Sequence, residues 1–173
     1  MKPNKSMNKI FERRSCRSFI DKEVDIKDVK EMIYAAMQAP SAMRQIPWQF
    51  VIVDKKEIPT LMNCSHGALS LKECNKVVIF VMQNNLRCPE FLEQDMSSAI
   101  ENFMLEGRNL GIATIWIGTY PHKERVDFLK NYLKIDEPYI PYAMVGVGYP
   151  KDNNIFKFDE SRFDDARIHI GKW

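Results

Sequence analysis

The sequence predicts one domain in which helices and strands form the layers of an αβ sandwich. Two observations support this prediction. Segments with helical periodicity alternate along the chain with nearly continuous apolar segments of strand length. In addition, no internal repeat or low-complexity linker divides the 173 residues, of which 45% are hydrophobic, enough for one ordinary core. We therefore expect residues 1–173 to form a single domain.

Two helices are expected ahead of the first strand. Ser6 can cap a short helix that ends near Arg13. Asp25 with Asp28 resembles a capping arrangement for a second helix, and the apolar residues that follow recur at helical spacing. Pro40 should end this helix, because proline cannot continue the helical hydrogen-bond pattern.

Four apolar segments are predicted to be strands, and two further helices lie between them. The strands are expected at residues 49–54, 76–83, 112–118 and 142–150. One helix, over about residues 90–107, carries an apolar stripe at helical spacing. The other should begin at Pro121, a residue suited to a first helical turn, and end near Leu133.

The last 23 residues, 151–173, lack a regular period but contain seven large apolar side chains. These are Ile155, Phe156, Phe158, Phe163, Ile168, Ile170 and Trp173. Leaving such side chains in water costs roughly 25 cal/mol per Å² of apolar surface. This arm should therefore lie either on its own domain or on a second subunit, and its composition leaves both alternatives open.

The overall charge and hydropathy of the chain argue against several classes of protein. A net charge of +2 does not suit a dedicated nucleic-acid-binding protein. The longest aliphatic run, residues 77–82, is too short to span a bilayer. The N-terminus lacks the apolar segment of a secretory signal, although it is basic like a transit peptide. We expect a cytoplasmic protein, with an organelle-targeted one as the alternative.

The four cysteines favour reduced thiols over a metal site or a disulfide framework. Cys16, Cys64, Cys74 and Cys88 form no C-x-x-C pair, and the chain has only three histidines, so neither zinc nor iron–sulfur ligation is expected. Cys16 lies among arginines, which would lower its thiol pKa and favour a nucleophile. Because no partner base is recognisable for it, a catalytic Cys16 stays an alternative hypothesis.

The stretch FERRSCRSF, residues 11–19, concentrates positive charge in an otherwise nearly neutral chain. Its three arginines lie within five residues around a serine and a cysteine, and residues 1–17 carry a net charge of +5. Guanidinium groups beside a hydroxyl donor suit an anion such as a phosphate, whose oxygens accept bidentate hydrogen bonds. A well-solvated basic face is the alternative reading of the same residues.

Four segments together resemble the flavin-dependent nitroreductase family. RRSCR (13–17) is similar to the R-R-S-x-R opening of that family, and APSAMRQIPWQFVIV (39–53) is similar to its A-P-S-A-x-N-x-Q-P-W signature and the strand that follows. LGIATIWIG (110–118) resembles its G-L-G-x-x-W-x-G segment, and SRFDDARIHIGKW (161–173) resembles the tail of the short members. The segments occur in the family's order, so the resemblance spans nearly the whole chain.

The resemblance implies an α+β fold, namely a three-layer αβα sandwich around a central, mostly antiparallel sheet. It also implies an intertwined homodimer that binds one FMN in each of two sites at the subunit interface. In such a dimer, residues 151–173 would be an extended C-terminal arm that wraps the partner.

The resemblance also implies a set of cofactor-binding residues. Arg13, Ser15 and Arg17, with Arg14 alongside, would contact the FMN phosphate and ribityl chain, and Arg162 in the tail would be a further phosphate ligand. Several cationic partners are expected to converge there, because an unpaired, partly buried charge is costly.

Two other segments would approach the flavin ring. In relatives, the segment matching Pro40, Ser41, Ala42 and Met43 reaches the flavin from the other subunit, and backbone N–H groups at the positions of Ile117 and Gly118 face its N5 region. The chain departs from the family pattern at Arg44, where Asn is usual, and at Ile46, where Gln is usual. Arg44 would lie near the pyrimidine end of the ring, or else point to solvent.

The activity implied is an FMN-dependent oxidoreductase. In the family's ping-pong mechanism, NADH or NADPH gives hydride to N5, and a small-molecule acceptor such as a nitroaromatic or a quinone then takes the electrons. The flavin does the chemistry, so neither a catalytic side chain nor a metal is required. The alternatives are a reductase of the same fold fed by a redox protein and a flavin-binding carrier or sensor without turnover.

Overall fold

The helices and strands of the computed structural model, which describes residues 8–173, follow the predicted order. The helices are α1 (Asn8–Glu12), α2 (Ile26–Ala36), α3 (Ile58–Leu61), α4 (Leu92–Asn109) and α5 (Lys123–Leu133). The strands are β1 (Trp48–Asp54), β2 (Lys76–Gln83), β3 (Ala113–Gly118) and β4 (Tyr139–Gly148). The expected cap of α1 at Ser6 lies outside the described residues.

The predicted cap at the start of α2 is confirmed, although the helix ends at Ala36, before Pro40 is reached. The predicted start of α5 is not confirmed. The carboxylate of Asp25 accepts a hydrogen bond from the backbone N–H of Lys27 and so caps α2. Helix α5 begins at Lys123, and the preceding N-cap residue is His122. The prediction that Pro121 occupies the first turn of α5 is therefore wrong, because the proline lies just before the helix.

All four strands pair into one antiparallel sheet of order β1-β2-β4-β3. Strand β2 lies in the middle, where Phe80 is opposite Phe50 of β1 and Ala143 of β4. The register shifts between Phe80 and Val81. The expected antiparallel central sheet is confirmed.

Helices cover both faces of the sheet, which makes three layers. Because side chains alternate across a strand, Val78 and Phe80 of β2 face the cluster that contains α2 and α4. Val77 and Ile79 face the opposite cluster, to which Leu129 of α5 belongs. Burial on both faces explains why β2 is apolar without alternation.

The segment after α1 runs beside the ends of two strands. Ser15 forms a parallel bridge with Thr114 of β3, and the backbone N–H of Cys16 donates to the Thr114 carbonyl over 2.9 Å. Phe19 then forms an antiparallel bridge with Pro150, just after β4. The arginine-rich stretch is thus fixed against the sheet by its own backbone.

The C-terminal arm has two parts that differ in their packing. Its first part packs on its own chain: Phe158 meets Phe11 edge-to-face with ring centroids 5.7 Å apart, and Phe156 lies under the Arg108 guanidinium at 4.2 Å. In its second part, Ile170 and Trp173 are 95% and 101% exposed. Across the described residues, no helix combines the length and apolar character needed to cross a membrane.

Candidate functional site

A cavity of about 360 Å³ brings Arg13, Arg14 and Arg162 together. It lies between the end of α1, the middle of α4 and the C-terminal arm. Apolar side chains of α1 and the arm complete its wall, together with the acidic side chains of Glu101, Asp159 and Glu160. The Arg13 Nε donates to Glu101 Oε1 over 3.0 Å. Since a guanidinium carries five N–H donors in a fixed plane, this bond orients Arg13 and leaves its terminal nitrogens for another acceptor.

Arg14 has a different role in the same cavity, because backbone carbonyls occupy its donors. Its Nη1 donates to the carbonyls of Phe11 and Arg13 over 2.7 and 2.8 Å, and its Nη2 donates to that of Lys157 over 2.7 Å. Burial lowers the pKa of Arg14, and the positive charge of Arg162 lowers it further. Arg14 therefore links α1 to the arm while adding positive charge to the cavity.

Arg162 reaches the cavity from a short helical turn of the arm. Its Nε donates to Asp159 Oδ2 over 3.3 Å, and its side chain is 62% exposed. Arg167, one turn further along, pairs with Asp164 at 3.0 Å and is 84% exposed. Arg162 thus lines the cavity, whereas Arg167 lies on the surface.

Ser15 and Arg17 point into a neighbouring cavity of about 550 Å³. Lys151 and Lys157 also line it, so three cationic side chains surround this space. Successive residues of the 13–17 stretch therefore serve two adjacent cavities. Sequence reasoning missed the two lysines, because only the fold places the start of the arm opposite residue 17.

The segment that begins at Pro40 forms a tight loop with an unusual backbone. Met43, Arg44 and Ile46 have φ values of 48°, 55° and 50°, a left-handed region that is uncommon for residues other than glycine and an outlier for a β-branched one. Such conformations cost of order 1–3 kcal/mol each and persist where the surroundings determine them. The side chains of Met43 and Ile46 are 64% and 58% exposed.

Asp95 of α4 holds the inner side of this loop. Asp95 is only 5% exposed. Its carboxylate accepts hydrogen bonds from the backbone N–H of Ala42 (3.0 Å) and from Gln45 Nε2 (2.7 Å). Sequence reasoning did not identify Asp95. Its position on the apolar stripe formed by Leu92 and Met96 is nevertheless a signal, because an acidic side chain in a buried position needs a specific polar partner.

Ile117 and Gly118 lie at the end of β3, as the strand prediction required. Ile117 is 7% exposed, whereas Gly118 is exposed and has nothing within 4 Å of the position where a Cβ would lie. The backbone at Gly118 is thus open to close approach by another group.

The residues predicted to bind one cofactor fall into separate groups within a single chain. Arg13, Arg14 and Arg162 share one cavity, and Ser15 and Arg17 share the next. Pro40, Ser41 and Ala42 line a third cavity of about 310 Å³ with Asp95, near the start of α4. The arginine cavity instead meets α4 further along, at Glu101.

The hypothesis of a nucleophilic Cys16 with a lowered pKa is wrong. Cys16 is 1% exposed, and burial raises the pKa of its thiol despite the nearby arginine. Its Sγ donates to the Ser18 carbonyl over 3.2 Å. Cys16 is a core residue of the layer between the sheet and α5.

Comparison with known proteins agrees with this architecture. The chain matches the sequence model of the nitroreductase family over residues 10–85 and 75–149. It is 35% identical to an Archaeoglobus fulgidus protein named "putative NADH dehydrogenase/NAD(P)H nitroreductase", with 95% of this chain and 96% of that protein aligned.

Solved structures show the same fold. A "putative NADH oxidase" from Clostridium acetobutylicum superposes with a TM-score of 0.91 at 38% identity, over 95% of this chain and 99% of that one. A structure from Desulfovibrio desulfuricans, described as "a putative nitroreductase in complex with FMN", has a TM-score of 0.82 over 99% and 98% of the two chains. At 20% identity, this second likeness shows the fold alone. Together with the family match, these relatives show that the chain belongs to the nitroreductase family.

Proposed function

We propose that this protein binds FMN and transfers electrons from NADH or NADPH to small conjugated acceptors such as nitroaromatics or quinones. As a member of the nitroreductase family it is an oxidoreductase of the FMN-dependent class. The observation that carries the proposal is the convergence of Arg13, Arg14 and Arg162 on one cavity, with Ser15 and Arg17 beside it.

The residues present fit the phosphate end of FMN. A phosphate dianion needs several strong donors. Within residues 8–173, Glu101 binds Arg13 through Nε and orients its plane, and the terminal nitrogens have no protein acceptor there. Like charges held close together, as Arg14 and Arg162 are, favour an anion between them. Arg13, Arg162 and, from the adjacent cavity, Arg17 would hold the phosphate, and Ser15 would add a neutral donor.

The ring end of the cofactor requires a second chain. The loop lines a cavity near the start of α4 through Pro40, Ser41 and Ala42, whereas the arginines line a different cavity that meets α4 at Glu101. This separation is expected if each site takes its loop from a partner. The exposed apolar side chains at the end of the arm also favour association, because a free subunit would leave Ile170 and Trp173 in water. A homodimer with exchanged arms would satisfy both requirements.

The roles of the cofactor and of the protein groups around it follow from the side chains that line these cavities. When bound, FMN would accept hydride from the nicotinamide and pass the electrons to an acceptor in a ping-pong sequence. The arginines would bind and orient the cofactor, and the open backbone at Gly118 would let the ring approach closely. The exposed side chains of Met43 and Ile46 would form an apolar surface that excludes water from the ring.

The decisive experiment is the visible spectrum of the purified protein, followed by identification of the released flavin. We expect a yellow protein that releases FMN and is reduced by NADH or NADPH, with reoxidation by a quinone or a nitroaromatic. Protein that remains colourless after incubation with FMN would contradict the proposal.

Two rival functions make different predictions in the same assay. A reductase fed by a redox protein would bind FMN but would oxidise neither NADH nor NADPH in the steady state. A carrier or sensor would hold flavin that can be photoreduced but that passes electrons to no acceptor tested. The departures at Arg44 and Ile46 are the sequence features that favour the second rival.

A further inference from the structure

In the contact between Asp95 and the loop of residues 40–46, the direction of hydrogen bonding is fixed: the loop donates and Asp95 accepts. Gln45 Nε2 donates to Asp95 Oδ2 over 2.7 Å and also to the Cys88 carbonyl over 3.1 Å, while Gln45 Oε1 accepts from the Cys88 N–H over 3.0 Å. The backbone of Cys88 therefore determines which end of the Gln45 amide faces Asp95. Only a group that accepts a hydrogen bond can satisfy the position of Asp95 Oδ2.

The loop is closed by further bonds from its own residues. Ser41 Oγ accepts the Ile46 N–H over 3.2 Å, and the Ser41 carbonyl accepts the Arg44 N–H over 3.1 Å. The second oxygen of Asp95 binds the Ala42 N–H. One buried carboxylate thus holds the loop on both sides of the left-handed residues Met43 and Arg44, whose side chains are exposed.

We propose that Asp95 is the positioning residue of this loop: it fixes the backbone so that Met43 and Arg44 are presented to the flavin of a second subunit. This inference rests on the proposed function. Asp95 would touch neither the cofactor nor a substrate, since its carboxylate is occupied by Ala42 and Gln45. Its effect on the flavin would be transmitted by the loop alone.

The first test needs no cofactor and uses amide hydrogen exchange on flavin-free protein. In Asp95→Asn, one acceptor oxygen replaces two, so the new NH₂ group must face either the Gln45 NH₂ group or the Ala42 N–H, and the loop should open more often. The amides of Ala42 and Ile46 should then exchange about tenfold faster or more, given what the loss of a charged hydrogen bond does to local stability. Amides in β1 and β2 should keep their rates.

Two further variants make this test specific. Glu93→Gln removes one negative charge from the same turn of α4 at an exposed position, and it should leave the loop amides unchanged. Gln45→Glu places two carboxylates in contact and should also open the loop. Adding Asp95→Asn to Gln45→Glu restores a donor–acceptor pair, so the double variant should exchange more slowly than Gln45→Glu alone.

The second test uses the FMN-loaded protein and distinguishes positioning from mere stability. Asp95→Asn should shift the midpoint potential and the visible spectrum of the flavin, whereas Glu93→Gln should match the wild type. Loop exchange that is unchanged in Asp95→Asn would overturn the inference, and so would faster exchange with an unchanged potential and spectrum. Wild-type protein that binds no FMN would overturn the proposed function, and the exchange data would still decide whether Asp95 holds the loop.

Discussion

At the scale of single residues, the arginines of the 13–17 stretch have different roles. Arg13 is oriented by Glu101, Arg14 is bound to three backbone carbonyls, and Arg17 is exposed beside two lysines. Five donors in a plane allow an arginine to hold a protein acceptor and a ligand at once, which a lysine cannot do in the same geometry. Residues of one type and one motif therefore need separate tests.

The phosphate assignment is tested by replacing Arg13 or Arg17 with alanine. Each change should weaken FMN binding by roughly 1.5–3 kcal/mol, the scale of a hydrogen bond to a charged group, and should leave riboflavin binding nearly unchanged. Titration calorimetry with both ligands measures the difference. The matched control is Arg167→Ala, since Arg167 pairs with Asp164 on the surface. Equal affinity of the wild type for FMN and riboflavin would refute the assignment.

Arg44 offers a test of the flavin environment that leaves the fold intact. Asparagine tolerates the left-handed conformation that Arg44 adopts, with φ of 55°, so Arg44→Asn should not lower the melting temperature. A cation near the pyrimidine end would stabilise the anionic reduced flavin. Its removal should lower the midpoint potential by about 30 mV or more, equivalent to about 1.4 kcal/mol for two electrons. An unchanged potential with FMN fully bound would make Arg44 a surface residue.

The thiols give a prediction that does not depend on the cofactor. Burial raises the pKa of Cys16 and of Cys74, and both are 1% exposed or less, so neither thiolate forms readily near neutral pH. In native protein at pH 8, iodoacetamide should modify both only as fast as the protein unfolds. Cys16→Ala should retain flavin reduction by NAD(P)H. Rapid alkylation at Cys16 in the folded state would contradict its assignment to the core.

At the scale of secondary structure, the strands could be predicted from the sequence better than the loops. Strand β2 was predicted at its observed bounds, because a continuous apolar run fits a strand that is buried on both faces. Helix α3 was not predicted, since its four residues are too few for a helical period. The left-handed residues of the 40–46 loop were also unpredictable, because Met, Arg and Ile do not favour that conformation. The hydrogen bonds that hold the loop include those to Asp95 and Cys88, which are distant in sequence.

The two parts of the C-terminal arm should respond differently to truncation. A chain ending at Phe158 keeps the contacts of Phe156 with Arg108 and of Phe158 with Phe11. It should fold as a monomer that binds little FMN, because it lacks Arg162 and the exposed apolar end. A chain ending at Ile155 loses those contacts as well and should be poorly soluble, since apolar surface around α1 is uncovered.

Size-exclusion chromatography and the visible spectrum would check both truncations. The position of the boundary matters, because the family resemblance implied that the whole arm, residues 151–173, wraps the partner. Because Phe156 and Phe158 contact their own chain, we propose that any exchange begins after Phe158. A chain ending at Phe158 that stayed dimeric and yellow would show that the distal arm does not hold the dimer together.

At the scale of the whole molecule, we propose that two chains combine the separate groups of site residues into complete sites. The arginine cavity meets α4 at Glu101, in the middle of the helix, and the 40–46 loop meets it at Asp95, near its start. A dimer that exchanged these surfaces would have two equivalent sites related by its two-fold axis. Cofactor binding and assembly would then stabilise each other, because FMN would bind only the associated state.

Subunit complementation tests this arrangement directly. One variant, Arg13→Ala with Arg17→Ala, lacks phosphate ligands but keeps the loop. The other, Met43→Asp with Arg44→Asp, keeps the arginines but places two negative charges at exposed loop positions, where aspartate tolerates the backbone conformation. Each variant alone should bind little FMN. After unfolding and refolding together, heterodimers should form in which one site takes its arginines and its loop from the two unaltered segments.

Random pairing sets the size of the expected signal. Half of the dimers would be mixed and each would hold one intact site, so about a quarter of all sites should recover FMN and reductase activity. If each site lay within one chain, every site in the mixture would carry a defect, and no activity would return. Refolding the two variants separately and mixing them afterwards is the control, since intact dimers that do not exchange subunits should stay inactive. Recovery in the co-refolded sample alone would establish that the arginines of one chain act with the loop of the other.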